Sequence, residues 1–391
     1  MYLFEISPFT HEVNYVSRLC SNDKVIESYE DKKNEMERCK VDYTKIDKNE
    51  IDKVVPRNLI INGAPGTGKS NHLEMDYRKK FFNDDFLYVR TTFNANTTYS
   101  EFVGVYKPTP IYVKDGGEYY ESNKIDLTES QMRPLIDYTF VAGPFIEVLC
   151  RALDDSTHNY LLVIEEINRA DTAAAFGDVF QLLDRVKETD GIPDEVGAST
   201  YKIKFSKDIM NYISSRVGNE SIYFKKDMFV RIPNNMYIFA TMNNADQQIK
   251  KMDTAFERRW EYEYMGLNSN CDITNNVYIT FPQIGEIKWN SFRKKLNKFL
   301  TEQVKVTEDK LIGTFFLDYS KVDDQRYVIT NGTIKHKLLM YLKNDVLRHN
   351  ADKLFAKNYL YGDLVELFDA GKEIFNTQFV SIFEKTDEER K

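Results

Sequence analysis

The chain has 391 residues, of which 42% are hydrophobic and 29% are charged, and it carries a net charge of −8. This length predicts two or three domains, and the composition excludes a largely disordered chain. The acidic charge argues against a stand-alone DNA-binding protein, although a local basic surface is compatible with it.

The cysteines and the apolar segments bear on the cellular compartment. The 4 cysteines, Cys20, Cys39, Cys150 and Cys271, are scattered, which favours a reducing compartment over a disulfide scaffold or a zinc site. No segment has the pattern of a signal peptide, and no apolar run reaches the length of a membrane span. We therefore expect a cytoplasmic protein that does not contact a membrane.

The first predicted region, residues 1–50, is a charged helical segment. Residues 21–53 are rich in Lys, Glu, Asp and Asn and contain no Gly, which is typical of an exposed helix or helical linker. Pro56 then precedes an apolar run at 59–61, which predicts the first strand of the next region.

A glycine-rich loop follows this strand and precedes a helical pattern at 71–80. It fits G-x-x-x-x-G-K-[ST], the phosphate-binding loop (P-loop) of nucleotide hydrolases, with the residues Gly63-Ala64-Pro65-Gly66-Thr67-Gly68-Lys69-Ser70. The glycines let successive backbone N–H groups turn toward one centre, where they hold phosphates together with the helix N-terminus. Lys69 is expected to reach the β- and γ-phosphates, and the Ser70 hydroxyl to bind Mg²⁺. A chance glycine turn is the alternative, and the flanking strand and helix argue against it.

Further strands and helices alternate along the chain and predict a parallel α/β sheet flanked by helices. Strands are expected at 86–90, 160–164 and 236–241, and helices at 145–153 and 173–186. A polar, glycine-punctuated stretch at about 187–232, with a short strand at 201–205, predicts a surface insertion. The core then comprises residues 51–266, and the amphipathic pattern within residues 267–391 predicts a smaller C-terminal helical lid domain.

Two acidic residues end the strand at 160–164, as in the second half of a P-loop nucleotidase site. Glu165 is expected to hold the Mg²⁺ shell, and Glu166 to polarise the attacking water as general base. Asp is commoner at the first position, and the extra methylene of Glu165 allows it to act through water. The alternative is a solvated strand end that carries two charges.

Polar residues at and beyond the end of the strand expected at 236–241 complete the predicted nucleotidase site. A polar side chain at the tip of this strand, in Thr241-Met242-Asn243-Asn244-Ala245-Asp246, is expected to lie beside the γ-phosphate and to orient the attacking water. Arg258 and Arg259, at the end of a predicted helix, suit an arginine finger, which stabilises charge on the transferring phosphoryl group, often from a neighbouring subunit. A surface ion pair with Glu257 or Glu261 is the alternative for these arginines.

These motifs, in this order, resemble the layout of an AAA+ NTPase. Additional segments resemble the McrB-type motors, the NTPase subunits of modified-cytosine-dependent (type IV) restriction and anti-phage defence systems. The resemblance spans about residues 55–370. The additional segments are Phe93 with Tyr99-Ser100-Glu101-Phe102-Val103-Gly104 and Tyr106-Lys107-Pro108, Gly143-Pro144-Phe145, Glu166-Ile167-Asn168-Arg169-Ala170, Phe176-Gly177-Asp178 with Leu182-Leu183, Met242-Asn243-Asn244-Ala245-Asp246, and Leu311-Ile312-Gly313-Thr314-Phe315-Phe316.

The resemblance implies a P-loop AAA+ core with a C-terminal helical lid, assembled into a homo-oligomeric ring that is expected to be a hexamer. The ring would bind ATP or GTP with Mg²⁺ between subunits. The resemblance also implies a partner nuclease of the McrC type, with DNA contacted through partner chains. By motif match, the roles given above to the P-loop and the two glutamates carry over. The match also implies that Asn243 is the sensor that orients the attacking water and that Arg258 or Arg259 is the finger in trans.

The chain departs from the family pattern at three places. The family's Asn-x-x-Asp is often followed by Arg, whereas Gln247 stands here, so a preference for GTP does not follow from the motif. Glu165 replaces the usual Asp. Residues 1–50 are too few for the DNA-recognition domain that McrB-type chains often carry at the N-terminus, so another chain is expected to read DNA.

Three functions are open at this point. The first hypothesis is an NTP-driven motor that powers a partner nuclease on DNA in restriction or anti-phage defence. The second is a protein-remodelling AAA+ chaperone that acts on a partner protein without DNA, which the acidic charge favours and the segment at 93–108 does not. The third is a nucleotide-gated scaffold with negligible turnover. Glu166 and the paired arginines argue against it, because a scaffold needs neither a general base nor a finger.

Overall fold

The structure is a computed structural model, and it describes residues 3–6, 13–17, 55–82, 84–114, 119–121, 132–243, 252–323, 325–348 and 350–383. The strands are β1 (Leu3–Ile6), β2 (Val13–Ser17), β3 (Asn58–Gly63), β4 (Tyr88–Thr92), β5 (Gly104–Lys114), β6 (Tyr119–Glu121), β7 (Met132–Ala142), β8 (Tyr160–Glu165), β9 (Phe224–Lys225), β10 (Phe229–Val230), β11 (Met236–Asn243), β12 (Glu261–Met265), β13 (Val277–Phe281), β14 (Gly285–Lys288), β15 (Ser320–Asp323) and β16 (Arg326–Val328).

The helices are mostly short, and several continue as π-helical turns. They are α1 (Lys69–His72), α2 (Lys79–Phe81), α3 (Tyr99–Phe102), α4 (Pro144–Asp154), α5 (Thr172–Phe176), α6 (Lys207–Arg216), α7 (Thr254–Glu257), α8 (Trp289–Phe299), α9 (Asn331–Thr333), α10 (Tyr361–Asp369) and α11 (Thr377–Val380). The π-helical turns are Leu73–Arg78, which joins α1 to α2, Leu300–Val304, which continues α8, and Ile334–Leu339 and Leu342–Val346, which follow α9. Among the helices in the described ranges, none is long and apolar enough to cross a membrane.

The central sheet has five strands in the order β12-β3-β11-β8-β4. β8 pairs in parallel with β11, from Tyr160↔Met236 to Ile164↔Ala240, and in parallel with β4 on its other edge. The first five residues of β8 are buried, because a strand inside a parallel sheet is covered on both faces. Helix α4 packs against β4 and β8. The predicted parallel α/β sheet with flanking helices is confirmed.

Two predicted elements differ in detail. The strand expected at 86–90 begins only at Tyr88, because Asp85–Leu87 forms a 3₁₀ turn in which the Asp84 carboxylate accepts a hydrogen bond from the Phe86 N–H. The helix expected at 173–186 is α helix only in α5 and continues as a 3₁₀ helix, Gly177–Leu183. Gly177 has a φ of 49°, and a Cβ there would lie 2.7 Å from the Tyr99 ring, so the change of helix type occurs where only glycine fits.

Two regions between strands of the core fold in ways that the sequence did not predict in full. Residues 104–142 contain a three-stranded antiparallel sheet in the order β6-β5-β7, in which β5 and β7 pair along their whole lengths. The predicted insertion at 187–232 holds α6 and the β9–β10 hairpin. In place of the strand expected at 201–205, one residue, Ile203, forms a bridge with Val230.

The C-terminal region has its own hydrophobic core and is not purely helical. Buried aromatic residues of α8 and of the last 20 described residues, such as Phe292, Phe375 and Phe379, pack together. Beside them lies a four-stranded sheet in the order β14-β13-β16-β15. The predicted helical character of the C-terminal region is confirmed, but the sequence did not indicate these four strands. In β13 the buried residues are Val277, Ile279 and Phe281, the period of two that a half-buried strand shows.

By compactness the chain divides into two units. The first comprises Met1–Leu59, Met75–Ala240 and Lys250–Glu261, and the second comprises Ile60–Glu74, Thr241–Ile249 and Tyr262–Lys391. The P-loop thus belongs to the same compact unit as the C-terminal region. We retain the division into a core at 51–266 and a lid at 267–391 as a proposal.

The predicted N-terminal helical segment, residues 1–50, is described only at β1 and β2. These two segments are strands that pair antiparallel, from Leu3↔Ser17 to Ile6↔Val13, and are not helical. The charged stretch at 21–53 lies outside the described residues.

Candidate active site

The P-loop has the backbone that its glycines predict. Gly66 and Gly68 have φ angles of 71° and 94°, in the left-handed region that residues with a Cβ avoid. The Lys69 side chain is buried, and its Nζ donates to the carbonyl oxygens of Gly63 and Ala64 at 3.0 and 2.9 Å. The lysine therefore lies along the loop, where its charge faces the loop's own backbone.

The helix that follows the P-loop is fixed to a strand of the same unit. His72 Nε2 on α1 lies 2.7 Å from Glu263 Oε1 on β12, and both side chains are largely shielded from solvent. Ser70, two residues earlier on the same helix, is exposed. The helix is thus held through one face, while the predicted metal-binding hydroxyl remains accessible.

Glu165 and Glu166 each have an arginine neighbour in the first unit. Glu165 is the last residue of β8, and its Oε1 lies 3.4 Å from Nη1 of Arg90 on β4. Glu166 Oε2 lies 3.4 Å from Nε of Arg169, in the 3₁₀ turn Ile167–Arg169 that follows. The arginines offset the repulsion between two consecutive carboxylates at one strand end. Sequence reasoning gave neither arginine a role. The spacing of three residues between Glu166 and Arg169 was the one signal available.

Glu166 also has an unusual backbone. Its φ of 57° and ψ of 45° lie in the left-handed helical region, which is sparsely populated by residues other than Gly, Asn and Asp. Such conformations cost on the order of 1–3 kcal/mol and concentrate at functional sites. The turn directs the chain out of β8 immediately after Glu165.

Asn243 is the last residue of β11. The preceding residues Met236 to Thr241 are buried, and Asn243 is half-buried at the end of the strand. The rest of its motif, Asn244 to Asp246, and Gln247 lie outside the described residues. Asn243 and the P-loop fall in the second unit, whereas the two glutamates and the two arginines of the predicted finger fall in the first.

Arg258 and Arg259 have different surroundings although they are adjacent. Arg259 is largely buried: its Nε and Nη2 bind Asp184 Oδ2 at 2.9 and 2.7 Å, and its Nη1 donates to the Ala255 carbonyl at 2.6 Å. Its guanidinium carbon lies 3.9 Å from the centre of the Phe180 ring. Arg258 is exposed, and its side chain makes no hydrogen bond or ion pair with any described residue. The predicted ion pairs with Glu257 or Glu261 are therefore not the ones formed.

Both arginines line a cleft of about 690 Å³ in the first unit. The cleft also contains Arg185, which donates to the Asn58 side chain and to the carbonyls of Gly197 and Met236. Burial, and then the nearby charge of Arg57, lowers the pKa of Arg185 to about 9. The lining has five basic and three acidic residues, so it is cationic in a chain whose net charge is −8. Such a cleft suits an anionic group such as a phosphate.

Each of these donor groups, taken by itself, is of a chemical type that binds a phosphate or a divalent cation. The exposed Ser70 hydroxyl and the Glu165 carboxylate are oxygen ligands, the type that Mg²⁺ prefers. The backbone N–H groups of the P-loop and the Lys69 ammonium suit phosphate oxygens. When bound, the cation would neutralise phosphate charge.

Comparison with known proteins identifies the family of the chain. The model of the AAA domain of the dynein-related subfamily matches residues 58–260. The chain is 44% identical over 326 residues to the type II restriction enzyme BsuMI component YdiS of Bacillus subtilis (strain 168), which covers 82% of this chain and 88% of that protein. It is 24% identical over 223 residues to the type IV methyl-directed restriction enzyme EcoKMcrB subunit of Escherichia coli (strain K12), which covers 53% of this chain and 35% of that protein. The resemblance predicted from the motifs is confirmed.

Proposed function

The chain belongs to the dynein-related subfamily of AAA domains and is a nucleoside triphosphatase, and we propose that it is the motor subunit of a restriction system. The observation that carries this proposal is the identity to the Bacillus subtilis restriction component, which extends well beyond the AAA core on the C-terminal side. The two relatives are of different restriction types, II and IV. The proposal therefore covers a restriction motor and does not include recognition of modified cytosine.

The motor would work as a homo-oligomeric ring, a hexamer, together with an McrC-like nuclease subunit, in the cytoplasm. The acidic net charge supports contact with DNA through partner chains, since a chain that binds DNA by itself needs a basic surface. Hydrolysis in the ring would then be coupled to cleavage by the partner. The anti-phage role follows from restriction of incoming DNA.

In the proposed reaction the P-loop, Gly63-Ala64-Pro65-Gly66-Thr67-Gly68-Lys69-Ser70, binds the triphosphate. Its backbone N–H groups and the Lys69 ammonium neutralise the phosphate oxygens, and Ser70 and Glu165 hold Mg²⁺. The Glu166 carboxylate accepts a proton from the attacking water, and the Asn243 side chain orients that water. Lys69 must turn from the carbonyls of Gly63 and Ala64 toward the phosphates to take this role.

We assign the arginine finger to Arg258 and a structural role to Arg259. A finger must extend into a neighbouring subunit, so its guanidinium has to be available at the surface. Arg258 is exposed and unbonded within the described part of the chain, whereas the Asp184 carboxylate, the Ala255 carbonyl and the Phe180 ring engage Arg259.

The test is steady-state hydrolysis of ATP and GTP, side by side, by the purified chain with and without duplex DNA and with Glu166→Gln as blank. Turnover that rises with DNA or with the partner nuclease supports a restriction motor, and the preferred nucleotide decides between ATP and GTP. Turnover that responds to neither DNA nor the nuclease contradicts the motor.

A protein-remodelling chaperone is the second candidate, because the acidic charge also suits a chain that acts on a protein without DNA. The same hydrolysis assay, extended by an arm with a protein substrate other than the nuclease, separates the two. Hydrolysis that is unaffected by DNA but stimulated by a protein substrate would favour the chaperone.

A further inference from the structure

Residues 311–316, called the brace below, lie directly on the P-loop within the second unit. The Gly313 N–H donates to the Pro65 carbonyl at 2.9 Å, and the Phe315 N–H donates to the Gly66 carbonyl at 2.7 Å. A Cβ on Gly313 would lie 2.4 Å from the carbonyl carbon of Gly66, and a Cβ on Gly66 would lie 2.4 Å from Cα of Phe316. The two backbones therefore touch, and glycine is required on both sides of the contact.

The brace is in turn held by three buried side chains of α8. The Asn297 amide donates to the Ile312 carbonyl at 2.8 Å and accepts from the Ile312 N–H at 3.0 Å. Arg293 Nη1 donates to the same carbonyl at 3.2 Å, and the Trp289 indole N–H donates to the Thr314 carbonyl at 2.9 Å. Buried polar groups are costly to leave without partners, so these bonds fix the brace relative to α8.

The contact determines the direction of two N–H groups of the P-loop. A trans peptide unit is planar, so the carbonyl of one residue and the N–H of the next point in opposite directions. When the brace holds the carbonyl of Pro65, the Gly66 N–H must point away from the brace. When it holds the carbonyl of Gly66, the Thr67 N–H must do the same. N–H groups of this loop are the ones that cradle phosphates.

We propose that the brace is a positioning element for the triphosphate, and that Trp289, Arg293 and Asn297 control nucleotide affinity through it. The inference rests on the proposed role of the P-loop and deepens it. These three side chains lie on a helix far along the chain from the loop and act by orienting the Gly66 and Thr67 N–H groups. A brace that served only to pack the C-terminal region would affect stability and leave affinity unchanged.

The first test compares Gly313→Ala with Gly362→Ala in the full chain. A Cβ at Gly362, near the start of α10, meets nothing within 4 Å, so this variant controls for the change of residue type. The Kd values of the γ-thio analogues of ATP and GTP with Mg²⁺ are measured by calorimetry. We expect Gly313→Ala to raise the Kd about tenfold or more, as for loss of a hydrogen bond to a charged group. Gly362→Ala should stay within about twofold of the wild type.

A second pair of variants covers the case in which Gly313→Ala does not fold. Asn297→Ala removes the bonds to Ile312 and leaves the glycine contact in place. Asn376→Ala is its control, because Asn376 caps α11 in the same unit, so its loss lowers stability without touching the brace. Melting temperatures without nucleotide are measured beside each Kd. Asn297→Ala should raise the Kd about threefold or more, whereas Asn376→Ala should lower only the melting temperature.

The outcomes separate this inference from the proposed function. The inference is overturned if Asn297→Ala, or a folded Gly313→Ala, has a lower melting temperature but binds the analogues with the wild-type Kd. The brace would then contribute only to packing. A wild-type chain that binds neither analogue would overturn the P-loop assignment and the inference together. If the wild-type chain binds the analogues and both Gly313→Ala and Asn297→Ala bind them more weakly, the P-loop assignment and the inference are both supported.

Discussion

Arg258 and Arg259 are adjacent, yet their surroundings predict opposite consequences of substitution by alanine. Arg259→Ala removes the partner of the Asp184 carboxylate and a guanidinium that lies over the Phe180 ring. Arg258→Ala removes an exposed side chain that has no bonded partner among the described residues. Arg259→Ala should therefore lower stability, and Arg258→Ala should lower turnover alone.

The magnitude of the Arg259 effect follows from its contacts. Loss of one partner from a buried ion pair costs about 3–5 kcal/mol, but the Asp184 side chain is 30% exposed, so water recovers part of this and about 2 kcal/mol remains. Loss of the contact with Phe180 and of the hydrogen bond to Ala255 adds about 1 kcal/mol. A total of about 3 kcal/mol corresponds to a fall in melting temperature of about 6–12 °C.

The assay is thermal unfolding without nucleotide, beside steady-state hydrolysis. Arg258→Ala should change the unfolding free energy by less than about 0.5 kcal/mol and lower turnover about 10³-fold or more. Mixing Arg258→Ala with Glu166→Gln subunits should restore activity, because one subunit supplies the finger and the other the base. In the double variant Arg259→Ala with Asp184→Ala, the loss of stability should be smaller than the sum of the single losses.

Two results would refute this reasoning. Arg258→Ala with wild-type turnover would exclude it as the finger. Arg259→Ala that loses turnover but melts at the wild-type temperature would reverse the assignment, because its contacts with Asp184 would then contribute nothing to stability.

The P-loop, the end of β8 and a hydrogen-bonded surface turn provide the remaining tests. Lys69→Ala should abolish nucleotide binding in calorimetry, whereas Glu166→Gln should bind and not hydrolyse; normal turnover of Glu166→Gln would place the general base elsewhere. Arg169→Ala removes the guanidinium that lies 3.4 Å from the Glu166 carboxylate. We expect this guanidinium to compete with the attacking water for that carboxylate, so turnover without DNA should rise, and a fall would mean that Arg169 orients Glu166. Burial raises the pKa of Asp155, but hydrogen bonds, led by that from Thr157, outweigh it and hold the pKa at about 2, below its usual 3.8. Because the folded pKa is depressed, its stabilisation is present above about pH 4 and is lost as the pH falls toward 2, and Asp155→Asn should flatten the change in melting temperature over that window.

The parts of the fold that were predictable are those that the local sequence determines. The runs at 160–164 and 236–240 are apolar throughout, because β8 and the buried part of β11 are covered on both faces of the sheet. The P-loop backbone was predictable for the same reason, since Gly66 and Gly68 occupy the left-handed region that their residue type permits.

The β5–β7 sheet could not be predicted because its strands contain prolines, which argue against strands. Pro108 and Pro110 are paired on one side with Tyr138 and Ile136 of β7. On the other side, within the described residues, β6 pairs with Ile111 to Val113 of β5, so neither proline lies opposite a described residue of β6. Which residues of a neighbouring strand lie opposite each proline depends on the folded sheet and not on the local sequence.

The sequence predicted that Arg258 or Arg259 is the finger but could not decide between them. Arg259 is distinguished from Arg258 by Asp184, which lies 75 positions earlier in the chain and comes into contact only in the folded structure. The residue pattern at 253–260 suits either arginine equally well as the finger. The division depends on a tertiary contact and therefore needs the fold.

The P-loop itself is only partly a local motif. Its glycines allow many backbone directions, and the hydrogen bonds from Gly313 and Phe315 select one of them. A nucleotide that binds only this conformation of the P-loop also stabilises the brace that holds it. The stabilisation is about 2.7 kcal/mol when the free nucleotide concentration is 100 times the Kd. Nucleotide should therefore raise the melting temperature of the second unit through α8 and the brace. By the same linkage, a substitution in α8 that loosens the brace must weaken nucleotide binding, even though it leaves every residue of the motif intact.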